Sequence, residues 1–260
     1  MMNLAKQTGS ISATPPAAVM ATTRAEHLSD RYVQISTSKI VDAMADRGFV
    51  VAQYRHTNAR AKNPEHAAHS VVFRREKDLL ASKEMTPQII FANSHDGSLR
   101  AFFVAGIFRF VCANGLVVGN AYGMLRTRHI GVEAETLADN AVVIGDNMQQ
   151  VVDVMDEWRK IEVNKNVQRE YAKLAAQLRF NDASRFEPDE LLRVRRPEDA
   201  GDDLWRVFNR VQEATTRGGA AGISAAGNSV VSRPLNNVRD SINFNATLWD
   251  LTAEFAAAAK

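Results

Sequence analysis

The chain lacks most of the features from which a function is usually read. It carries one cysteine in 260 residues, which excludes an internal disulfide framework and fits a reducing cytoplasm. Its longest apolar run, AFFVAGIF, is stopped by Arg109 and is far shorter than the roughly 20 residues a membrane-spanning helix needs. There is no GxGxxG after a strand, no GxxxxGK[ST] and no GxSxG, so the common dinucleotide, P-loop and serine-hydrolase signatures are missing. The six histidines (27, 56, 66, 69, 95 and 129) form no HExxH and have no paired cysteines beside them. No metal and no cofactor is therefore expected. Residues 1–30 contain no apolar signal-peptide core and are rich in Ser, Thr, Ala and Pro. They read as a disordered leader.

What is present suffices for a sizeable core, since 45% of residues are apolar. The net charge of +2 conceals an asymmetry. Residues 31–130 hold 14 Lys/Arg against 7 Asp/Glu, whereas residues 131–260 hold 16 against 21. A basic half can attract a polyanion, or the two halves can neutralise each other.

Periodicity sets the expected fold. Tyr32 to Ser36 is a short strand candidate, and TSKIVDAMADRG is a helix that Gly48 stops. FVVAQYRH, HSVVFRR, QIIFANSH, LRAFFVAGIFRFVC, GLVVG and YGMLRTRHI follow as strands, with His-Asp-Gly-Ser as a hairpin turn. After Gly131 the period changes. Leu137, Ala141, Ile144, Met148, Val151, Met155 and Trp158 recur at helical spacing, and three more helical segments follow a break near Asn164. Gly218 to Ser232 is rich in Gly, Ala and Ser and reads as a mobile loop. The expectation is one α+β domain over 31–260, β-rich over 31–131 and helical over 132–260. An antiparallel sheet would be packed by long helices.

The stretch NSHDGSLRAFFVAGIFRFVCANGL, residues 93–116, places His95, Asp96 and Cys112 near one apolar strand. Alternation sets Cys112 on a face with Phe102, Val104, Phe108 and Phe110. A cysteine there is a buried hydrophobe and a poor nucleophile. Turn geometry alone accounts for Asp96-Gly97, though His95 remains a candidate ligand contact. The cationic residues form the second candidate set: Arg74, Arg75, Lys77, Arg100, Arg109, Arg126 and Arg128. Interleaved with Phe and Tyr, they suit a phosphate backbone and base stacking, or else a charged sheet edge guarded against aggregation. Arg126 and Arg128 share a strand face, and pairing with Glu133 and Glu135 is their local alternative.

Asn93-Ser-His-Asp-Gly97, Arg109-Phe-Val-Cys-Ala-Asn-Gly-Leu116, Arg128-His-Ile-Gly131, Leu204-Trp-Arg-Val-Phe-Asn-Arg-Val-Gln-Glu213 and Asn245-Ala-Thr-Leu-Trp249 stand in this order. As a set they resemble the phage/plasmid-like protein family called domain of unknown function 932. Ala214-Thr-Thr departs from the family pattern. The resemblance implies a mobile-element protein in a bacterial or phage-infected cytoplasm, with no established activity. It also marks Asn93, His95, Asp96, Asn114, His129, Asn209, Arg210, Gln212, Glu213, Arg233, Arg239 and Asn245 as motif residues of unknown role. Strands followed by a long helix are similar to the fold of single-strand annealing proteins, by analogy alone.

Three functions stay open. The first is a non-enzymatic protein that binds or anneals single-stranded nucleic acid. The second is an interaction protein inhibiting a host defence or repair factor. The third is an enzyme using His95, Asp96 and His129. A homo-oligomer is compatible with each, and a membrane partner is not expected.

Overall fold

Strand-forming sequence dominates the first half, and it folds into an antiparallel sheet. The computed structural model describes residues 10–12, 14–56, 63–75, 85–109, 114–117, 124–126 and 133–259. Two compact units result, Met1–Met148 with Asn236–Ile242, and Gln149–Leu235 with Asn243–Lys260.

The sheet of the first unit has seven strands: β1 (Ser10–Ser12), β2 (Phe49–His56), β3 (His69–Arg75), β4 (Met85–Asn93), β5 (Phe102–Arg109), β6 (Asn114–Val117) and β7 (Met124–Arg126). They lie in the order β1-β2-β3-β4-β5-β6, and β7 pairs with the other end of β5. β5 is thus central, and residues Phe102 to Ile107 are all buried. Its continuous apolar run is what burial on both faces requires.

Helices pack on the sheet where the sequence supplies an apolar stripe. After α1 (Ala17–Met20) comes α2 (Thr37–Ala45), capped by Ser36, whose side chain accepts from Lys39 N. It ends at Ala45, and Gly48, with φ +77°, closes the turn that follows. Its buried Ile40, Ala43 and Met44 recur at helical spacing. α3 (Ala134–Asp146) buries Leu137, Ala138, Ala141 and Ile144. Gly145 brings α3 close to the sheet: a Cβ there would lie 3.2 Å from Ile89 Cδ1 and 3.3 Å from Phe49 Cζ. Arg47 closes the contact with Glu135 at 2.8 Å and Asp139 at 2.7 Å.

The second unit is mostly helical. Along the chain come α4 (Met148–Trp158), α5 (Lys165–Arg179), α6 (Pro188–Leu191) and α7 (Leu204–Arg217), then the strands β8 (Ala221–Ile223) and β9 (Ser229–Val231), then α8 (Val238–Ala258). Asn164 caps α5 and Asp203 caps α7 through side-chain oxygens. The aromatic core sets Trp158 4.5 Å from Trp249 and 5.7 Å from Phe208, ring to ring. Such pairs add to the area that their burial removes from water.

Four expectations change. Tyr32 to Ser36 forms no strand, because its backbone groups bond elsewhere: Tyr32 N donates to Ser29 O, Tyr32 O accepts from Arg24 Nη1, and Ile35 O accepts from Asn93 Nδ2. Residues 14–30 of the expected leader are anchored at three points, with Ala18 and Val19 both 1% exposed and Ala25 7%. Gly218 to Ser232 contains the β8–β9 hairpin in place of a loop, with Ala221 paired to Val231 and Ile223 to Ser229. α3, grouped by sequence with the helical half, belongs to the sheet's own unit. Cys112 lies outside the described residues. Among those described, no helix is long and apolar enough to cross a membrane, and no three His, Cys, Asp or Glu side chains are placed to hold a metal ion.

Candidate functional site

The NSHDG turn is built from hydrogen bonds that consume its polar groups. Gly97 adopts φ +76°, and Asp96 Oδ1 accepts from Ser98 N at 2.9 Å, closing the turn. Asn93 Oδ1 accepts from Ser94 N at 2.8 Å, while Nδ2 donates to Ile35 O at 2.9 Å and Thr37 Oγ1 at 3.2 Å. His69 stands opposite Asn93 in the β3–β4 register. Its Nδ1 lies 2.9 Å from Ala67 O, and its Nε2 lies 2.8 Å from Thr37 Oγ1. A carbonyl can only accept, so Nδ1 carries the proton and Nε2 accepts from the threonine. The same reasoning applies to His95, whose Nε2 donates to Ala18 O at 2.9 Å. Its Nδ1 then accepts from Gln34 Nε2 at 3.5 Å. Both rings are fully buried, with centroids 5.2 Å apart. Burial, together with the neighbouring His95, pushes His69 down to about 3, against a smaller opposing effect of the Ala67 bond.

This geometry holds residues 18–37 to the sheet and forms no His-Asp dyad. Asp96 is committed to its own turn, and its carbonyl accepts from His27 Nε2 at 3.1 Å. His129 lies outside the described residues. Thr37, Gln34 and His69, which complete the network, went unnoticed in the sequence because each stands far along the chain from the motif.

The motif residues of α7 are similarly engaged. Asn209 Nδ2 donates to Trp205 O at 2.6 Å. Arg210 donates to Gly201 O at 2.9 Å and to Gln168 Oε1 at 3.1 Å. Gln212 Nε2 donates to Asn245 Oδ1 at 2.7 Å, joining α7 to the part of α8 in the same unit. Glu213 receives Arg196 through two bonds of 2.9 and 3.0 Å, and Arg217 approaches at 3.5 Å. Where the sequence departs from the family pattern, Ala214 is fully buried, and Thr215 and Thr216 donate back to Val211 O and Gln212 O. Arg239 is exposed at the start of α8.

The backbone places the described cationic candidates of the sheet at two ends of it. Arg126 pairs with Phe102, near Arg100, whereas Arg109 closes the far end of β5. Seven residues separate those two rows, about 23 Å at the usual rise per residue. Arg74 and Arg75 end β3 on the Arg109 side. Arg75 is committed, 2.5 Å from Asp146 and stacked over Phe49 at 5.1 Å. Glu135, the expected local partner of Arg126 and Arg128, pairs with Arg47. Arg109, Asn114 and Arg126 are placed by backbone alone; Lys77 and Arg128 lie outside the described residues.

A basic and aromatic cleft stands instead in the second unit. Arg179, Phe180, Arg185, Phe186, Val230, Val231 and Arg233 line a space of about 640 Å³. The two phenylalanine rings are 4.4 Å apart, and the Arg179 guanidinium lies 5.0 Å over Phe180. Arg179 also donates to Thr215 O at 2.9 Å and Arg233 O at 3.0 Å, so its position is fixed from α7. Arg185 pairs with Asp182 at 2.9 Å, and Arg233 is exposed with no ionic or hydrogen-bonding partner for its guanidinium among the described residues. Gly218 (φ +73°) lets the chain turn tightly here: a Cβ would lie 2.4 Å from Ser232 O. The sequence signal was RFNDASRF (residues 179–186), two Arg-Phe pairs around a polar turn.

The family model described as "Domain of unknown function (DUF932)" matches residues 25–249. The chain belongs to the DUF932 family. Two Escherichia coli (strain K12) proteins are similar to it, UPF0380 protein YfjQ and UPF0380 protein YafZ. Each is 30% identical over 228 residues, which is 86% of this chain and 82% of the relative. No solved structure matches. The DUF932 match takes in both the buried His69/His95 network and the whole Arg179–Arg233 cleft.

Proposed function

We propose that this DUF932 protein is a non-enzymatic binder of single-stranded nucleic acid serving phage or plasmid maintenance, and that the cleft between Arg179 and Arg233 makes the contact. The observation that carries this reading is the combination of an exposed Arg233, its guanidinium unpartnered among the described residues, with Arg185 and two phenylalanine rings in one open space. Cations tracking phosphates beside aromatic faces is how sequence-tolerant strand binding works. The sheet arginines, spread over two ends and partly paired, support it less.

The test is fluorescence anisotropy of a short single-stranded DNA over a salt series. Arg185→Ala with Arg233→Ala should weaken binding alike for all sequences and reduce the salt slope by about 1.4, from two lost phosphate contacts on a single strand. An unchanged slope, or wild-type binding that ignores salt, rules the cleft out.

A second reading rests on Ile223 and Val231, each 64% exposed on the β8–β9 hairpin. Apolar surface of that kind suits a host protein partner. If Ile223→Ser with Val231→Ser abolished capture of a host factor while strand binding stayed absent, this reading would replace the first.

A further inference from the structure

The sheet face turned away from α3 holds polar groups that no network absorbs. Ile89 faces α3, so alternation puts Thr86 and Gln88 on the other face. Thr86 is 0% and Gln88 2% exposed, yet the Thr86 hydroxyl and both Gln88 amide atoms have no hydrogen-bond partner among the described residues. Such a buried group costs about 1–3 kcal/mol. Native structures keep few of them, and a missing water or ligand is a common explanation. Gln88 pairs with Gly106 on β5, which has no side chain to bond to the amide.

Two arginines share this face. Phe73 pairs with Ile89, so Arg74, one residue on, lines up with Gln88. Arg55 pairs with Ser70, an even number of residues from Arg74, and so points the same way. Its one hydrogen bond is to Gln53 Oε1 at 3.2 Å, and its Nε is buried without a partner. Burial first, then the neighbouring Arg74 charge, pushes Arg55 down to about 10. No described carboxylate faces Arg55 to offset that repulsion. Val50, the register partner of Arg74, is 39% exposed, so solvent reaches the edge of this region.

Two guanidiniums, an amide and a hydroxyl present mostly donors, which is the complement of an oxyanion. We propose that Arg55, Arg74, Thr86 and Gln88 form a binding site for a small oxyanion of the phosphate class. It is separate from the strand-binding cleft, which belongs to the other unit. The phosphate is either a free anion or the terminal group of a polynucleotide.

The experiment is thermal unfolding of the full chain in sodium phosphate against sodium chloride of equal ionic strength. Phosphate should raise Tm progressively, as any ligand of the native state does. Gln88→Leu should remove that rise while increasing Tm in phosphate-free buffer, because it deletes the unpartnered amide. Should Gln88→Leu not fold, Thr86→Val serves, with phosphate affinity expected to fall about tenfold for one lost hydrogen bond. A parallel arm compares terminally phosphorylated with unphosphorylated oligonucleotide. A shift with inorganic phosphate alone identifies the free anion, and a shift with both phosphate forms identifies a polynucleotide end. A wild-type Tm equal in phosphate and chloride overturns the proposal, as does a full phosphate shift in both variants. Strand affinity for the unphosphorylated oligonucleotide should be unchanged in Gln88→Leu, which keeps this result distinguishable from failure of the cleft.

Discussion

Moving the protein from pH 7 to pH 4 is expected to lower its unfolding free energy by roughly 3 kcal/mol through His69, at about 1.36 kcal/mol per pKa unit. The folded state holds His69 neutral down to about 3, whereas its ordinary value is 6.5. Between those values the unfolded chain binds the extra proton. The stabilisation is therefore complete above 6.5, is lost as pH falls, and is gone below about 3. His56 is depressed by burial in the same direction. Lowered carboxylates such as Asp182, Asp189 and Asp202 act below their ordinary value of 3.8, so the window from 6.5 to 4 belongs to the histidines.

The physical cause is the closed network. Protonating Nε2 of His69 would set a donor against the Thr37 hydroxyl, which already receives Asn93 Nδ2. The Thr37 hydroxyl would have to rotate its proton away from the ring and accept from both nitrogens, losing the bond it donates, and a buried charge would remain. Urea midpoints at both pH values measure the effect. His69→Gln should be less stable at pH 7 but markedly flatter with acid. An equal acid slope in the variant would show that His69 does not titrate in this window.

Glu213→Ala should destabilise the second unit by about 3 kcal/mol, as breaking a buried ion pair does. The Glu213 side chain is 8% exposed, Arg196 25% and Arg217 16%. Removing the carboxylate takes away the charge that Arg196 and Arg217 both meet, and one of the two that face Arg195, the other being Glu190. Arg196 retains some access to water, which keeps the cost at the lower end of the usual range. Glu213→Ala combined with Arg196→Met should recover part of the loss, because the orphaned charge is then gone. Chemical denaturation of the single and double variants decides it. A loss below about 1 kcal/mol for Glu213→Ala would mean that the pair behaves as a solvated surface contact.

Most elements were legible because local chemistry specifies them. The strands FVVAQYRH and HSVVFRR and the helix TSKIVDAMA begin and end where alternation, Ser36 and Gly48 say they should. Tyr32 to Ser36 misled because a β-compatible composition does not reveal whether a neighbouring strand is available. Residues 14–30 misled differently: their composition is that of a loop, yet His95 and Asp96, in the turn after β4, bond to Ala18, Ala25 and His27.

The sequence by itself determined the α+β class, the order of strands before helices, the Asp96-Gly97 turn and membership of DUF932, because periodicity, turn residues and ordered motifs are properties of neighbouring positions. Only the tertiary structure decided which polar residues are spent and which remain. His95 looked reactive and proved to be enclosed, while the Gln88 amide and the Arg55 Nε looked ordinary and proved to be buried with no hydrogen-bond partner among the described residues. The reason is that satisfaction of a buried polar group depends on atoms brought from tens of residues away, and a linear pattern does not encode those distances.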